Sequence, residues 1–332
     1  MMRGERTRME IMEQPDAFAR TLNSIENEAM RASDAIKGRF IYATGSGTSF
    51  HAALVLQRAM SKIASERVIS IAASEIPYWL PDDLKGTALL AFSQSGESRD
   101  VLVAVDFYRK HGGEVVISIT NTEGSTLDRL SDITIVTRAG KEESIAATKT
   151  YTSQLAASFL LSICVAEEKG AKLDELKEEL RKIPGAMRKT IEICQQKAFE
   201  AASRIKDKDI GFVLGSGSNY PTALEGALKL RETSNLHYEG FAAREFLHGP
   251  IQLVSKHTPV IVISNGIQEV IDRVKVYEAP VMEIGGDMPV IKVRDEFSPA
   301  VNIIPLQLLA YKTSLLRGLD PDSPEKLSKV VR

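Results

Sequence analysis

The chain has 332 residues, of which 43% are hydrophobic and 26% are charged, and its formal net charge at pH 7 is −2. This length allows two domains of about 150 residues, each with its own hydrophobic core. The nearly neutral charge gives no electrostatic reason to expect binding to nucleic acid or to a membrane surface. No apolar run approaches the roughly 20 residues that span a bilayer.

Cysteine and histidine usage narrows the possibilities further. Cys164 and Cys194 lie in helical patterns without CxxC spacing, as expected for buried thiols in a reducing compartment. The charged N-terminus lacks the apolar core of a signal peptide, and the five histidines show no paired metal-ligand spacing. We therefore expect a cytoplasmic protein that uses no metal and no other cofactor.

The first half of the chain alternates apolar runs with helical patterns. Residues 1–36 are polar and helical in pattern, which predicts an N-terminal arm more than a core element. Near-continuous apolar strands alternating with helices predict a parallel sheet covered on both faces. The predicted strands are 39–45, 67–74, 87–93, 114–120 and 133–137, and the predicted helices are 50–63, 99–110 and one that begins near 151.

The second half repeats this pattern. FIYATGSGTSFHAAL and GFVLGSGSNYPTALE each predict a strand, a Gly-Ser-Gly turn and a helix, with Gly45 lying 170 residues before Gly215. Ser93 likewise lies 171 residues before Ser264, and APVMEI and MPVIKV are predicted to be the two closing strands. The nearly constant offset favours an internal duplication over general similarity between α/β units.

These patterns predict an α/β fold of two tandem domains. Each domain is predicted to be a five-stranded parallel sheet flanked by helices, in the flavodoxin-like three-layer arrangement. The predicted segments are the N-terminal arm (1–36), the first domain (37–170), a charged helical connector broken at Pro184 (171–204), the second domain (205–317) and a C-terminal tail (318–332).

Two turns of the first half carry hydroxyl groups at predicted strand ends. Gly-Ser-Gly-Thr-Ser (45–49) leads from a strand into a helix, where backbone N–H groups form a natural anion site. Ser-Gln-Ser-Gly-Glu-Ser (93–98) follows another strand, and ligands of open α/β sheets bind outside such strand ends. Neither turn fits a dinucleotide or P-loop motif. A phosphate monoester is the expected ligand, although a Gly-Ser-Gly turn alone often serves only as a tight turn.

The stretch 220–250 gathers acid and base groups. Glu225, Lys229 and Glu232 stand at i, i+4 and i+7, on one face of a predicted helix. Taken alone, this pattern is also typical of an exposed ion pair on a solvated helix face. The polar residues Glu239, Glu245 and His248 follow and end at a Gly-Pro break.

Several of these motifs together resemble the sugar isomerase (SIS) domain family. They are GSGTS, SQSGES, SIAATKTYTSQ, YPTALEGALKLRE, EFLHGP and the terminal LSKVV. Within the family they are most similar to the isomerase half of the glutamine–fructose-6-phosphate aminotransferases, the glucosamine-6-phosphate synthases, and to related glucosamine-6-phosphate deaminases. The resemblance runs from Glu13 to Lys329, and it implies that each predicted domain is an SIS domain.

The resemblance assigns a role to each matching residue. A hexose 6-phosphate would place its phosphate on the first-half turns, at Thr48, Ser49, Ser93, Gln94, Ser95 and Ser98. Ile145 and Ala146 would contact the sugar hydroxyls through their backbone. Glu232 would move a proton between C1 and C2, with Lys229 and Glu225 as its partners on the helix, and Lys329 would form an imine with the sugar carbonyl. His248 would assist ring opening from the neighbouring subunit, which implies a homodimer with its site at the subunit interface.

Two departures from the family affect the expected substrate and reaction. The synthases begin with a glutaminase domain, whereas this sequence begins Met-Met-Arg, so it is expected not to release ammonia from glutamine by itself. Arg244 stands where the family usually has a small residue. A long cation at this position could recognise an extra acidic group or seal the dimer.

The preferred hypothesis is isomerising deamination of glucosamine 6-phosphate to fructose 6-phosphate and ammonia. The same residues would serve the reverse synthesis, with free ammonia or ammonia from a separate glutaminase. They would also serve a deglycase acting on sugar–amino-acid 6-phosphates or a plain aldose–ketose isomerase. The alternative from another class is a sugar-phosphate sensor without catalysis. Residues 1–36 are too short for the DNA-binding domain that such sensors usually carry.

Overall fold

The computed structural model describes residues 3–263 and 266–329. Ser264, which marks the second repeat, and Val330 and Val331 of the LSKVV motif lie outside the described residues. The chain is an α/β protein with two parallel sheets, one of five strands and one of four, flanked by helices. In these two ranges no helix is long and apolar enough to cross a membrane.

The chain divides into two compact units. The five-stranded unit contains residues 16–142 and 149–182, and the four-stranded unit contains residues 3–15, 143–148 and 183–329. The short segment 143–148 thus belongs to the four-stranded unit although both of its neighbours along the chain belong to the other.

The five-stranded unit follows the predicted alternation of strands and helices. Its sheet is parallel throughout, with the strand order β2-β1-β3-β4-β5. Its elements are the second part of α1 (Glu5–Ser24), α2 (Glu26–Ile36), β1 (Phe40–Gly45), α3 (Thr48–Ile63), β2 (Val68–Ala72), α4 (Ile76–Trp79), β3 (Thr87–Phe92), α5 (Arg99–Lys110), β4 (Val115–Thr120), α6 (Thr126–Leu130), β5 (Ile133–Val136), α7 (Lys149–Glu168) and the start of α8 (Asp174–Ile205).

The central strand β3 shows why these strands are continuously apolar. All six of its residues are buried. Leu89 and Ala91 belong to the core cluster that contains Val101 and Val105 of α5, whereas Ala88 and Leu90 point to the opposite face. Because helices cover both faces, both sets of alternating side chains are buried, and all residues of β3 except Thr87 are apolar.

The four-stranded unit repeats the first four positions of this order. Its sheet is also parallel, with the order β7-β6-β8-β9. Position by position this matches β2-β1-β3-β4, in agreement with an internal duplication. Beside the first part of α1 and most of α8, the unit contains β6 (Ile210–Gly215), α9 (Tyr220–Ser234), β7 (His237–Ala242), β8 (Val260–Ile263), α10 (Gln268–Lys275), β9 (Val281–Ile284) and α11 (Ser298–Leu316).

The predicted fifth strand of the second half is wrong. MPVIKV, residues 288–293, has an apolar and β-branched composition but only one bridge, between Met288 and Ile284. The sheet gains its outer strand from HYEGFA instead, which is β7. Only Tyr238 of β7 is fully buried, so this edge strand lacks the apolar run on which the prediction depended.

Two further expectations also fail. Pro184 does not break the connector, because α8 is a single 32-residue helix that contains it. A proline inside a helix removes one hydrogen bond, but Leu180, Ile183 and Met187 around it are buried and hold the helix together. The N-terminal helices are not merely a polar arm, since the side chains of Ile11 and Phe18 are completely buried.

Candidate functional site

The two serine-bearing turns follow neighbouring strands of the five-stranded sheet. β1 and β3 pair in parallel, with Phe40 opposite Thr87 and Thr44 opposite Ala91, so both strands end at the same edge. In the order β2-β1-β3-β4-β5 the chain reverses its direction of winding between β1 and β3. The carboxyl ends of the strands at such a switch point form a crevice that binds ligands in open α/β sheets.

The turn 93–98 is fixed by its own hydrogen bonds. The amide of Gly96 donates to Oγ of Ser93 at 3.1 Å, and the amide of Glu97 donates to Oγ of Ser95 at 3.1 Å. Gly96 has φ +66°, and a Cβ there would lie 2.1 Å from Oγ of Ser125, so only glycine fits.

The same turn leads directly into helix α5. Ser98 is the N-cap of α5, and its side chain makes no capping bond. The first N–H groups of α5 therefore remain available to an anion at the strand end. Ser93 is buried, whereas Gln94, Ser95 and Ser98 are half-buried. The hydroxyls and the first amides of α5 are hydrogen-bond donors of the kind that bind phosphate oxygens.

The turn 45–49 is shaped by close packing against helix α3. A Cβ on Gly45 would lie 2.6 Å from the carbonyl carbon of Ser49, so the strand can pass the start of α3 only with glycine at this position. Ser49 is half-buried, and its Oγ accepts a hydrogen bond from Nε2 of Gln154 at 3.2 Å. Thr48 and Ser49 thus lie in the first turn of a 16-residue helix, as an anion site needs.

The matching turn of the four-stranded unit is filled by the protein itself. Asn219 stands where the first copy has Ser49, and its Nδ2 donates to Oγ of Ser298 at 2.8 Å. Its Oδ1 accepts from Nδ2 of Asn302 at 3.0 Å. Oγ of Ser218 donates to Oδ2 of Asp295 at 2.8 Å, so an internal carboxylate occupies this turn. The turn 215–219 therefore uses the side chains of Ser218 and Asn219 for hydrogen bonds within the protein.

Helix α9 of the four-stranded unit carries a buried lysine between two carboxylates. Nζ of Lys229 lies 3.3 Å from Oε1 of Glu225 and 2.5 Å from Oε2 of Glu232. The side chains of Lys229 and Glu225 are 2% and 0% exposed, so the alternative of a solvated ion pair is excluded. Burial by itself lowers the pKa of the Lys229 ammonium, but the two carboxylates outweigh it and raise that pKa.

Glu232 is the partly exposed member of this triplet. Its side chain is 21% exposed, and it lines a cavity of about 750 Å³ in the four-stranded unit. The cavity also touches Arg231 of α9 and the tail residues 318–320 and 323–327. A carboxylate fixed by a buried cation on one side and open to a cavity on the other is arranged as a general base must be.

Lys329 is docked on the segment 143–148. Its Nζ donates to the carbonyl oxygen of Ser144 at 2.6 Å. The next amide, that of Ile145, donates to the carbonyl oxygen of Asp322 at 3.2 Å. Ala146 is 2% exposed. The four-stranded unit therefore brings Lys329 next to the two residues that the sequence assigned to sugar contacts.

His248 and Arg244 follow the α9 triplet in the sequence, and both lie on the protein surface. His248 ends a short 3-10 helix and is exposed. Nη1 of Arg244 lies 2.7 Å from Oε2 of Glu269, and both side chains are more than half exposed. Arg244 thus forms a surface ion pair within this chain.

The sequence did not predict the roles of two carboxylates, Glu10 in helix α1 and Asp322 in the tail. Oε1 of Glu10, in α1, accepts hydrogen bonds from the amides of Glu143 and Ser144 at 2.5 and 3.3 Å. Oδ1 of Asp322 accepts from the amide and the hydroxyl of Thr7, each at 2.7 Å. These partners lie more than 130 residues apart along the chain, so no local pattern could have indicated them.

Comparison with known proteins agrees with this architecture. The SIS domain model matches residues 36–163 and 205–275. The glutamine–fructose-6-phosphate aminotransferase [isomerizing] of Pyrobaculum aerophilum is 36% identical, over 97% of this chain and 56% of that protein. The same-named protein of Pyrococcus horikoshii is also 36% identical, over the same shares. The chain therefore spans about half the length of the curated relatives it matches.

Solved structures give the same result. The C-terminal domain of glucosamine-fructose-6-phosphate aminotransferase from Francisella tularensis superposes with a TM-score of 0.88 and 28% identity, covering 96% of this chain and 98% of that one. Glucosamine-6-phosphate deaminase from Thermotoga maritima gives a TM-score of 0.82 and 26% identity, with 98% and 99% coverage. The two segments that the SIS domain model matches together cover more than half of the residues, so this chain belongs to the SIS domain family.

Proposed function

We propose that this chain is an enzyme that moves a proton between C1 and C2 of a hexosamine 6-phosphate. The preferred reaction is deamination of glucosamine 6-phosphate to fructose 6-phosphate and ammonia. The observation that carries the proposal is the α9 triplet, in which a buried lysine holds Glu232 at 2.5 Å while that carboxylate reaches a cavity. A merely structural ion pair does not need an open, partly desolvated carboxylate.

The chemistry starts from the open-chain sugar, whose C1 carbonyl acidifies the proton on C2. Glu232 removes that proton, and the resulting carboxylic acid returns it to C1. Meanwhile O1 gains a proton and the amine nitrogen loses one, so the product is an imine at C2. The Lys329 amine then attacks C2 of this imine and displaces ammonia, and water hydrolyses the resulting lysine imine to fructose 6-phosphate and free Lys329. In the reverse direction the same amine attacks the C2 carbonyl of fructose 6-phosphate.

The buried cation favours this sequence on electrostatic grounds. Lys229 keeps its positive charge at neutral pH because the carboxylates raise its pKa. The charged ammonium fixes the Glu232 carboxylate in place by an ion pair at 2.5 Å. Glu225, fully buried on the other side of Lys229, fixes the lysine side chain and so fixes Glu232.

The remaining groups take the roles that the family resemblance assigns. Phosphate would bind the hydroxyls and amides of the turns 45–49 and 93–98, where Thr48, Ser49, Ser93, Gln94, Ser95 and Ser98 lie. The segment with Ile145 and Ala146 would contact sugar hydroxyls, and the Lys329 amine would attack the sugar carbonyl to form an imine. His248, supplied by the partner subunit of a homodimer, would give the ring oxygen the proton that it gains when the sugar ring opens.

The domain assignment is part of the same proposal. We infer two tandem SIS domains of three layers each, at 37–170 and 205–317, with 1–36 as an N-terminal segment, 171–204 as a connector and 318–332 as the tail. The two separate family matches and the corresponding strand orders of the two sheets support this division.

Synthesis is the second candidate, because the curated relatives at 36% identity are named as aminotransferases. In that direction fructose 6-phosphate and ammonia give glucosamine 6-phosphate through the same proton transfer. The Thermotoga maritima structure named as a deaminase, at 26% identity, is the similar structure that supports deamination.

The test is turnover of glucosamine 6-phosphate, with ammonia and fructose 6-phosphate measured together, and of fructose 6-phosphate with ammonium salts. Glu232→Gln should lower kcat by at least about 100-fold, as for loss of a general base. Glu192→Gln, at an exposed position of α8, is the matched control and should retain full activity. Unchanged turnover in Glu232→Gln contradicts the assignment of the base. A wild-type protein that binds these sugars without converting them supports the sensor alternative.

The proposed dimer has its own test by complementation. Glu232→Gln and His248→Asn are purified separately, each inactive, then mixed and allowed to exchange subunits. If His248 acts on the site of its partner, mixed dimers contain one intact site and activity returns. If both groups act within one subunit, the mixture stays inactive.

A further inference from the structure

The segment 143–148 is fastened to the rest of the four-stranded unit at three successive residues. Oε1 of Glu10 accepts the amides of Glu143 and Ser144. The carbonyl of Ser144 accepts the Lys329 amine at 2.6 Å. The amide of Ile145 donates to the Asp322 carbonyl at 3.2 Å. The backbone on which the Lys329 amine rests is therefore held from both ends, by helix α1 and by the tail.

Asp322 connects the start of helix α1 to the segment 143–148. Its carboxylate accepts from the amides of Arg6 and Thr7 at 3.2 and 2.7 Å, and from the Thr7 hydroxyl at 2.7 Å. Arg6 and Thr7 are the second and third residues of α1, whose N–H groups have no partner within the helix. The negative charge at this helix end is also favoured by the helix dipole.

The backbone carbonyl of Asp322 holds the segment 143–148. Through its carbonyl, Asp322 is bound to Ile145, next to the carbonyl that binds Lys329. Neighbouring Asp320 supports it, since Oδ1 of Asp320 accepts the amides of Gly4 and Asp322, each at 3.1 Å. One residue of the tail thus joins the start of α1 to the segment under the Lys329 amine.

We propose that Asp322 is a positioning residue that places the Lys329 amine by locking the tail and the segment 143–145 onto the start of helix α1. The proposal rests on the proposed function, in which that amine attacks the sugar carbonyl. The residues 323–328 between Asp322 and Lys329 are in turns or irregular backbone and largely exposed. Such a stretch does not hold an amine in one place unless its base is anchored.

Substitution of Asp322 should lower the reaction rate without weakening phosphate binding. Displacing a reacting group by about 1 Å can reduce a rate by about 100-fold. Asp322→Ala removes all three carboxylate contacts and leaves the backbone bond to Ile145. Its kcat should fall by about 10-fold to 100-fold, whereas KM should stay within about threefold because the phosphate-binding turns are unchanged. Asp322→Asn retains one carbonyl acceptor and should recover part of the rate.

The Lys329 amine can be followed directly. Wild-type protein incubated with fructose 6-phosphate and cyanoborohydride should trap the imine at Lys329, read out by peptide mass spectrometry. The trapping rate should fall in Asp322→Ala by the same factor as kcat. Asp207→Asn, with the same change of charge at an exposed position, should behave like the wild type. Equal kcat and trapping rates in Asp322→Ala and the wild type overturn the proposal.

A second measurement does not depend on any sugar. Reductive methylation with formaldehyde should modify Lys329 several times faster in Asp322→Ala than in the wild type, with the exposed Lys275 as internal reference. Thr7→Val removes the hydroxyl contact alone and should give a smaller increase, with no added effect in the double variant. If the wild type converts no hexosamine phosphate but the methylation difference is present, the proposed function fails and the positioning of the amine stands. If Lys329 is modified equally fast in all variants, the positioning role is wrong whatever the activity.

Discussion

The ammonium nitrogen of Lys229 lies 2.5 Å from Oε2 of Glu232, three residues further along helix α9, and 3.3 Å from Oε1 of Glu225, four residues before it. One buried positive charge thus faces two negative charges. This arrangement sets both the stability of the helix and the position of the proposed base, and the two effects can be separated by substitution.

Replacing Lys229 by methionine removes the charge and keeps the length of the side chain. Glu225, which is 0% exposed, then loses the cation that balances its charge, and breaking a buried pair typically costs about 3–5 kcal/mol. We expect Lys229→Met to lower the free energy of unfolding by about that amount, measured by circular dichroism in urea.

The double variant Glu225→Gln/Lys229→Met provides the control for this prediction. It removes both buried charges, so it should recover part of the lost stability. Recovery of stability without recovery of kcat is expected, because Glu232 still lacks its cation. If Lys229→Met is as stable as the wild type, the pair contributes nothing to folding and the burial argument is wrong.

The sequence could predict this triplet because its residues lie on one helix. Spacing of three and four residues places side chains on one face, and the preceding strand β6 is marked by the apolar run GFVLG. The exposure of each member could not be predicted, since it depends on how α11 packs on α9. Gly226 shows this, because a Cβ there would lie 2.5 Å from Cδ1 of Leu306.

Local sequence patterns could not predict strand β7 or the contacts of the C-terminal tail. β7 pairs with β6 although only Tyr238 of its six residues is fully buried, whereas the apolar MPVIKV forms no strand. Pairing at a sheet edge is decided by tertiary contacts more than by the composition of the strand itself. The contacts of Asp322 with Thr7 and of Lys329 with Ser144 join residues 315 and 185 positions apart.

The difference between the two Gly-Ser-Gly turns predicts different effects at matching positions. Ser49→Ala removes a hydroxyl from the turn that is open to a ligand, and loss of one hydrogen bond to a charged phosphate should weaken binding by about 10-fold. Asn219→Ala, at the corresponding position, should leave the affinity unchanged. It should instead lower the free energy of unfolding by about 1–3 kcal/mol, because Ser298 and Asn302 lose their buried partner.

Calorimetric titration with glucitol 6-phosphate measures this affinity without turnover, since the ligand has no carbonyl carbon. Urea unfolding of the same samples gives the stability. Equal loss of affinity in Ser49→Ala and Asn219→Ala would mean that both turns, or neither, bind the phosphate.

The last prediction concerns stability at alkaline pH. Tyr238 is completely buried beside Gly211, where a Cβ would lie 2.4 Å from the tyrosine ring. Its hydroxyl has no hydrogen-bonding partner among the described residues, and burial raises the pKa of this phenol above its ordinary value of 10.0. Above pH 10 the unfolded chain therefore loses the phenolic proton while the folded chain keeps it. Stability must then fall as the pH rises.

Tyr238→Phe removes the titrating group and preserves the ring. At pH 8 the variant should be at least as stable as the wild type, because an unpartnered buried hydroxyl is lost. Between pH 8 and pH 10.5 the wild type should lose about 1 kcal/mol more than the variant. Tyr277→Phe, at a site that is 46% exposed, controls for the loss of a hydroxyl as such. Parallel stability curves for the wild type and Tyr238→Phe over this range would show that the phenol ionises alike in the folded and unfolded chains, which contradicts its burial without a partner.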